Sequence, residues 1–357
     1  MDSRQRGGVL KNRIQALKDA FDTEKLDGYL VANEITILYF TGFLGGARLL
    51  TPKEGENVLY VYGVNYEEAK ERAKDCRVEL VKRGEDADLK LASQIKSLKL
   101  RRVGFDAVEA SIYLKLRKAL KGVRLKAQGK LVWKLREVKD ETEITCMRKA
   151  AELTDEGMRA AFETIKAGLR EYEIAAEMEY AMRRLGSGGV AFDTIVASGV
   201  RTAFPHGGCT DRKIQVGDLV VIDVGAIHQH YRADLTRTVT IGKPSPKQVR
   251  IYEVVREAQE RAFQSVRAGV KARDADAAAR KLIEKEGYGE YFVHGLGHGI
   301  GLEIHEPPTL GPESKEVLKT GNVITLEPGI YISNFGGVRI EDTVLVRKHK
   351  AEKLTKA

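Results

Sequence analysis

The chain has 357 residues, of which 43% are hydrophobic and 31% charged, and its formal net charge is +9. This length suits two domains rather than one. The sequence contains no apolar run of membrane-spanning length and no secretory signal at its start, and its cysteines are scattered, without CxxC spacing, at Cys76, Cys146 and Cys209. These features exclude a disulfide framework and predict a cytoplasmic protein with reduced thiols and no membrane partner.

Residues 1–130 predict an N-terminal α/β domain. Helical periodicity over residues 9–22 places four apolar side chains on one face: Val9, Ile14, Leu17 and Phe21. Strand-like runs follow at residues 28–31, 58–64 and 102–106. Alternating strand and helix patterns predict a largely covered sheet. This part of the sequence contains no complete set of catalytic residues.

The most basic stretch of the chain is residues 96–130. A nucleic-acid groove is one interpretation of such a stretch, and a solvated helical face is the other. Between Lys115 and Lys130 no aromatic residue interleaves with the charges to stack on bases. The sequence therefore favours the solvated face and predicts no nucleic-acid partner.

Residues 131–357 predict a second, α+β domain with an internal repeat. Asp140 and Glu143 form a capping pattern at the start of a long helix. Two pairs of segments then resemble each other at offsets of 101 and 104 residues: Ala161–Leu169 with Ala262–Val270, and Gly217–Gly225 with Gly321–Gly329. Each half consists of a helix, a loop and a strand that ends on a carboxylate, so we expect two halves related by a pseudo-two-fold axis.

Four acidic residues lie in or beside apolar strand patterns of the second domain. They are Asp223, Asp234, Glu327 and Glu341. A buried ionised carboxylate is costly unless it is paired or binds a metal. Two divalent cations would offset the repulsion among four such groups, and carboxylate-rich ligation suits Mn²⁺, Co²⁺ or Zn²⁺. A salt-bridged strand residue is the alternative for any one acid, but it does not explain four in repeat-related positions.

Histidines are concentrated near these acids. Three fall in the glycine-rich segment 294–305, at His294, His298 and His305. His206 lies in the flexible segment Phe-Pro-His-Gly-Gly, close to Cys209. A cysteine nucleophile would leave the four acids unexplained. The remaining histidines have no comparable setting and are interpreted as surface residues: His228, His230 and His349.

Taken together, the motifs resemble the metallopeptidases of the pita-bread fold, which include aminopeptidase P, prolidase and methionine aminopeptidase. The resemblance covers the whole chain and includes the acid pair Asp223 and Asp234, the His-Gly-x-Gly-His-Gly segment, Glu327-Pro-Gly and Arg339-Ile-Glu-Asp. The N-terminal segment Tyr39–Phe43 and the junction Leu135–Lys139 resemble the Xaa-Pro branch. Such enzymes hydrolyse peptides that contain proline, and the resemblance further implies a homodimer.

The resemblance also implies roles for individual residues. Asp223 would bind one metal ion, His298 and Glu327 the other, and Asp234 and Glu341 would bridge the two. A hydroxide between the ions would attack the peptide bond, with Glu327 as proton carrier. His206 and His305 would contact the substrate and stabilise the oxyanion. Supporting or substrate contacts would come from His294, Arg339 and Tyr331.

Two activities within this family fit the sequence. One is an aminopeptidase that removes Xaa from Xaa-Pro-peptides, and the other is a dipeptidase that cleaves Xaa-Pro. Prolidases often carry a basic group just beyond the His-Glu-x-Pro segment, where this chain has Thr309, so the sequence favours the aminopeptidase slightly. A creatinase-like amidinohydrolase lacks the full ligand set. A catalytically silent peptide-binding or histone-binding module would be expected to have lost ligands, and here all five are present.

Overall fold

The computed structural model describes residues 13–357, and the chain divides into two compact units after Arg136. The junction predicted at residue 130 lies within the last helix of the first unit, Gly129–Arg136. Over the described range, no helix combines the length and the apolar character needed to cross a membrane.

The first unit is built on a six-stranded mixed sheet in the order β4-β3-β2-β1-β5-β6. Its strands are β1 Gly28–Val31, β2 Arg48–Pro52, β3 Val58–Tyr62, β4 Arg77–Val81, β5 Arg102–Phe105 and β6 Arg124–Ala127. Its helices are α1 at residues 13–19, α2 Phe21–Glu24, α3 Glu34–Thr41, α4 Gly63–Arg72, α5 Ala87–Ser97, α6 Ala110–Ala119 and α7 Gly129–Arg136. Strand β1 is buried along its whole length, as the predicted covered sheet requires.

The elements predicted for this unit are largely confirmed. Ile14, Leu17 and Phe21 are buried, whereas Val9 lies outside the described residues. The strand expected over residues 58–64 ends at Tyr62, because Gly63 and Val64 already belong to α4. Of the basic stretch, Lys115 forms ion pairs with Asp86 and Asp88.

The second unit contains two halves, each with a pair of helices and antiparallel strands. The first half comprises α8 Glu141–Thr164, α9 Glu171–Arg184, β7 Ile195–Ser198, β8 Leu219–Val224, β9 Ile227–His228, β10 Tyr231–Arg232 and β11 Leu235–Thr240. The second half comprises α10 Pro246–Ser265, α11 Ala272–Lys285, β12 Gly297–Gly299, β13 Glu306–Leu310, β14 Val323–Leu326, β15 Gly329–Ile332, β16 Gly336–Arg339, β17 Asp342–Val346 and β18 Ala351–Lys353. Short 3-10 helices cover Gly199–Ala203 and Gly289–Tyr291.

These two halves confirm the predicted internal repeat. In the first, β8 pairs with β11 in the sheet β11-β8-β7, and in the second β14 pairs with β17 in the sheet β13-β12-β14-β17-β18. Asp140 and Glu143 form the predicted capping box at the start of α8. Strand β8 is buried at all six positions, in agreement with its apolar sequence.

Threonine side chains join the two half-sheets where β11 runs beside the segment 339–343. Thr238 Oγ1 donates to Arg339 O and accepts from Arg339 N, while Thr343 Oγ1 donates to Asp234 O and accepts from Asp234 N. All of these groups are buried. Hydroxyls thus satisfy buried backbone groups that lack a regular ladder partner at this junction.

At Gly225, between β8 and β9, neighbouring atoms approach the backbone too closely to leave room for a side chain. A Cβ atom at this position would collide with the carbonyl oxygen of Ala233 and the side chains of Ala191 and Phe192. We therefore expect Gly225→Ala to destabilise the second unit by about 1–3 kcal/mol, the usual cost of overpacking a core.

The control for this prediction is Gly188→Ala, where the nearest atom to a new Cβ would be Ile227 O at 3.5 Å, an ordinary contact. Urea unfolding followed by circular dichroism compares the midpoints. Equal midpoints for both variants would mean that the packing around Gly225 tolerates a side chain.

Candidate metal centre

The hairpin of β8 and β11 carries the two aspartates on one face. Asp223 pairs with Thr236 in the register of the two strands, and Asp234 precedes Thr236 by two residues. Because side chains alternate between the faces of a strand, all three point to the same side. Both aspartates are buried.

In the other half, Glu327 and Glu341 lie opposite each other between two short ladders. Leu326 pairs with Asp342 on one side, and Gly329 pairs with Arg339 on the other. Continuing either register places Glu327 across from Glu341. Glu341 is also tied to the first half, because its backbone N donates to Thr236 O at 3.0 Å and its Oε2 accepts from Thr236 Oγ1 at 2.6 Å.

His298 enters this group of acids from the short strand β12. Its Nε2 lies 3.4 Å from Glu327 Oε1 and 3.8 Å from Asp234 Oδ2. A Cβ on either neighbouring glycine, Gly297 or Gly299, would collide with a carbonyl of an adjacent strand. The alternating glycines therefore let β12 lie close enough to its neighbours for His298 to reach the acids.

The pKa values of the acids and of His298 reflect their burial and their closeness to one another. Burial, reinforced by the charge of Glu341, raises the pKa of Asp234 well above its ordinary value. Burial likewise raises the pKa of Glu341, and it raises the pKa of Glu327 to about 7 against the opposing charge of Arg339. The pKa of His298 falls to about 4, chiefly through burial, so its imidazole is neutral at pH 7 and able to act as a metal ligand.

These residues fit a divalent metal centre. Asp223 Oδ1, Asp234 Oδ1 and Glu341 Oε1 are buried oxygens that have no hydrogen-bond partner in the described chain. Ligand atoms of Asp234, His298 and Glu341 all lie within 4.8 Å of one another. Unsatisfied buried carboxylate oxygens are costly, and a cation bound among them would remove that cost.

Arg339 connects this cluster to neighbouring residues. Its guanidinium donates to Asp223 Oδ2 at 2.6 Å, to Thr236 Oγ1 at 3.1 Å and to the hydroxyl of Tyr331 at 3.1 Å. The same hydroxyl lies 3.0 Å from His294 Nε2. Burial lowers the pKa of His294 to about 4 and raises that of Tyr331 to about 12, so both side chains are neutral at pH 7.

The two histidines expected to contact substrate lie beside the centre rather than within it. The ring of His305 packs edge-on against that of His298, with their centroids 4.4 Å apart. Burial and then the charge of His206 lower the pKa of His305. His206 itself is exposed on the loop after β7. Burial raises the pKa of the Cys209 thiol, which disfavours the thiolate that a cysteine nucleophile needs.

Among the histidines interpreted as surface residues, His230 and His349 are exposed and His228 is half-buried. His228 ends β9, and His230 lies in the β9–β10 turn, where Gln229 and His230 adopt positive φ.

Sequence patterns did not reveal several residues that hold this site. Lys139, at the end of the junction segment Leu135–Lys139, and Glu306, next to His305, form a buried ion pair at 3.0 Å that no sequence pattern indicated. Glu171, at the start of α9, accepts hydrogen bonds from both ends of the His206 loop. In the sequence, each of these residues resembles an ordinary polar residue near the end of a helix or strand, because its partner lies far away along the chain.

Comparisons with known proteins show which family the chain resembles. Metallopeptidase family M24 matches residues 145–348, and the creatinase/prolidase N-terminal domain matches residues 13–138. The chain is 41% identical over 349 residues to a Xaa-Pro dipeptidase of Pyrococcus furiosus, covering 97% of this chain and 98% of that protein.

Solved structures show the same likeness. A Xaa-Pro dipeptidase from Bacillus anthracis superposes with a TM-score of 0.93 at 38% identity, covering 98% of both chains. An X-Pro aminopeptidase from Thermotoga maritima has a TM-score of 0.86 at 37% identity, covering 93% of this chain and 96% of that one.

Replacing one of the crowded carboxylates should stabilise the metal-free protein and, at the same time, reduce the stabilisation that metal binding provides. A carboxylate whose pKa rises on folding destabilises the folded state at neutral pH, because folding must bury a charge or take up a proton. Asp234→Asn should therefore raise the unfolding temperature of the metal-free protein. It should also lose most of the metal-dependent stabilisation, which for an intact site is about 2.7 kcal/mol at 100 times Kd.

Differential scanning calorimetry with chelator and then with Mn²⁺ or Zn²⁺ measures both effects. Asp211→Asn, at an exposed aspartate outside the cluster, is the control. A destabilised metal-free Asp234→Asn, or one with the full metal response, would contradict the role assigned to crowding.

Proposed function

Because this chain belongs to metallopeptidase family M24, and thus is a metallopeptidase that uses divalent metal, we propose that it is a Xaa-Pro dipeptidase that hydrolyses the bond before a C-terminal proline. The observation that carries this proposal is the near-full-length similarity to a protein named Xaa-Pro dipeptidase. The structural likeness to a second dipeptidase supports it. The intact ligand set argues against a silent peptide-binding module.

The aminopeptidase favoured by the sequence remains the second candidate. It rested on the lack of a basic residue at Thr309, and an X-Pro aminopeptidase of known structure is also similar to the chain. The similarity to that protein extends over a smaller part of this chain than the similarity to the dipeptidases, 93% against 97–98%. The comparisons therefore favour the dipeptidase over this first interpretation.

We propose a two-ion centre in which the ligands are Asp223, Asp234, His298, Glu327 and Glu341. The unsatisfied oxygens of three of these residues and the neutral imidazole of His298 support this set. Mn²⁺, Co²⁺ and Zn²⁺ are the candidates for this mixed oxygen and nitrogen donor set. When bound, two such ions would supply Lewis-acid polarisation and lower the pKa of a water molecule.

The chain's own residues have separate tasks in this proposal. Glu327 holds and transfers a proton at its carboxylate, whose Oε1 lies 3.4 Å from His298 Nε2. His206 and His305 orient the substrate and donate to its carbonyl oxygen. Arg339 holds Asp223 and Tyr331 in place through its three hydrogen bonds to Asp223, Thr236 and Tyr331. We also propose that the protein is a homodimer, as the family resemblance implies. Light scattering measures its mass in solution and so tests this proposal.

The choice between dipeptidase and aminopeptidase has a direct test. With Mn²⁺, Co²⁺ or Zn²⁺ added, we expect kcat/KM for Ala-Pro to exceed that for Ala-Pro-Ala by at least about tenfold, or ~1.4 kcal/mol of transition-state stabilisation. Ala-Ala serves as the control for proline specificity. Chelator should abolish hydrolysis, and added metal should restore it. Preference for the tripeptide would identify the aminopeptidase instead, and full activity in excess chelator would refute a metal-dependent mechanism.

The histidines separate metal binding from substrate binding. His298→Ala should lower the metal content and kcat together, because it removes a ligand. His305→Ala should keep its metal but lose on the order of 10²-fold in kcat if the residue aids the oxyanion.

Metal per chain and kcat are measured for both variants, with the exposed His349→Ala as control. Equal metal loss in the His298 and His305 variants would show that His305 also acts as a ligand.

A further inference from the structure

The loop that carries His206 is closed at its base by one carboxylate. This loop, residues 199–209, runs between Ser198 at the end of β7 and Thr210. Glu171 Oε1 accepts from Ser198 N at 2.8 Å and from Ser198 Oγ at 2.7 Å. Its Oε2 accepts from Thr210 N at 2.9 Å and from Thr210 Oγ1 at 2.6 Å. The fully buried carboxylate therefore fixes the spacing of the two loop ends.

Arg201 extends this connection into the loop itself. Its Nη1 donates to Glu171 Oε2, and its Nη2 donates to Gly207 O and, at 3.3 Å, to Gly208 O. Because a guanidinium is a rigid planar fork, its two ends hold their partners in a defined relative position. The backbone immediately after His206 is thereby tied to Glu171.

The backbone immediately before His206 is held by Arg339, which also contacts Asp223 of the metal centre. Arg339 Nη1 donates to Pro205 O at 3.0 Å. Thr202 Oγ1 accepts from Gly337 N at 2.7 Å and donates to Gly199 O at 2.6 Å, which fastens the start of the loop to β16. His206 thus stands between two anchored carbonyl groups.

The exposed imidazole of His206, by contrast, makes no hydrogen bond within residues 13–357. Its location therefore depends on the backbone that carries it. The anchors nearest to His206 are Arg339, which also contacts Asp223, and the Glu171–Arg201 pair, which forms no hydrogen bond with a proposed metal ligand among the described residues.

We infer that Glu171, acting through Arg201, is a positioning residue that places His206 for contact with the substrate. The inference rests on the proposed function, in which His206 orients the peptide. Glu171 touches neither the metal ligands nor the substrate-facing imidazole, so its effect on the reaction passes through the loop. A displacement of about 1 Å at a reacting group can lower turnover by on the order of 10²-fold.

The test replaces Glu171 by Gln, which keeps the shape of the side chain but removes its charge and turns one acceptor oxygen into a donor. Glu173→Gln is the matched control, since Glu173 lies in the same first turn of α9 and accepts from Arg170 N at its capping position, which Gln also satisfies. Its ion pair with the Arg170 guanidinium is long, at 3.9 Å, and exposed to solvent, so its loss should cost little. We expect Glu171→Gln to retain its metal and to lose kcat/KM for Xaa-Pro substrate by up to about 10²-fold. The control should match the wild type.

A double substitution separates positioning from general loss of stability. In the His206→Ala background, adding Glu171→Gln should cause no further loss of kcat/KM, because both act through the same imidazole. Losses that multiply would overturn the inference, as would wild-type kcat/KM in the single variant. Should Glu171→Gln fail to fold, Arg201→Lys provides the second test, because lysine lacks the fork that spans Glu171 and Gly207. Arg201→Lys should show the same dependence on His206, and wild-type kcat/KM in this variant would overturn the inference.

An NMR measurement tests the inference without depending on enzyme activity. In protein labelled with ¹³C-histidine, the His206 signal is assigned by its loss in His206→Ala. We expect that signal to shift or broaden in Glu171→Gln and to stay unchanged in Glu173→Gln. An unchanged His206 signal in Glu171→Gln would refute the positioning role whatever the activity. A wild type that hydrolyses no Xaa-Pro peptide would refute the proposed function, and the NMR result would still decide the role of Glu171.

Discussion

Three buried carboxylates and the partly exposed carboxylate of Glu327 lie close together and impose the main physical constraint on the second unit. Burial and mutual charge raise the pKa of Asp234 and Glu341, and three carboxylate oxygens of the cluster lack hydrogen-bond partners among the described residues. Such an arrangement is costly in isolation. The rest of the unit is organised to hold these groups together until a cation offsets their repulsion.

The repeat explains how one chain meets that constraint. Each half supplies a pair of antiparallel strands with an acid in or next to each strand, and the two pairs are joined through threonine hydroxyls. Thr236 is central to this junction, because its hydroxyl donates to Glu341 and accepts from Arg339 while its carbonyl accepts from the backbone of Glu341. A hydroxyl can donate and accept at once, which neither a carboxylate nor a guanidinium can do. Threonine therefore suits the boundary between acidic and basic groups.

Local patterns predicted the two halves of the second unit and the apolar strands beside the four acids. An aspartate within the apolar run Leu219–Val224 is conspicuous, and its counterpart Glu327 follows a similar run. Glu171 and Lys139 gave no such signal. An acid in the first turn of a helix suggests capping or a dipole interaction, and nothing in the sequence near Glu171 indicates Thr210, its hydrogen-bond partner 39 residues away. Contacts of that kind depend on the tertiary fold, so periodicity and spacing could not predict them.

The same limit explains why Thr309 was weak evidence about substrate length. Recognition of a free proline carboxylate needs a cation within reach of the site, and the fold, not the sequence position, decides which cation that is. Glu306 shows how remote such partners can be, since its ion-pair partner Lys139 lies 167 residues earlier. Proteins named dipeptidase and aminopeptidase share 38% and 37% identity with this chain. The dipeptidase also matches the larger share of this chain, 98% against 93%, which favours that activity, and the group that would bind a free proline carboxylate has to be sought among the residues that the fold brings to the metal centre.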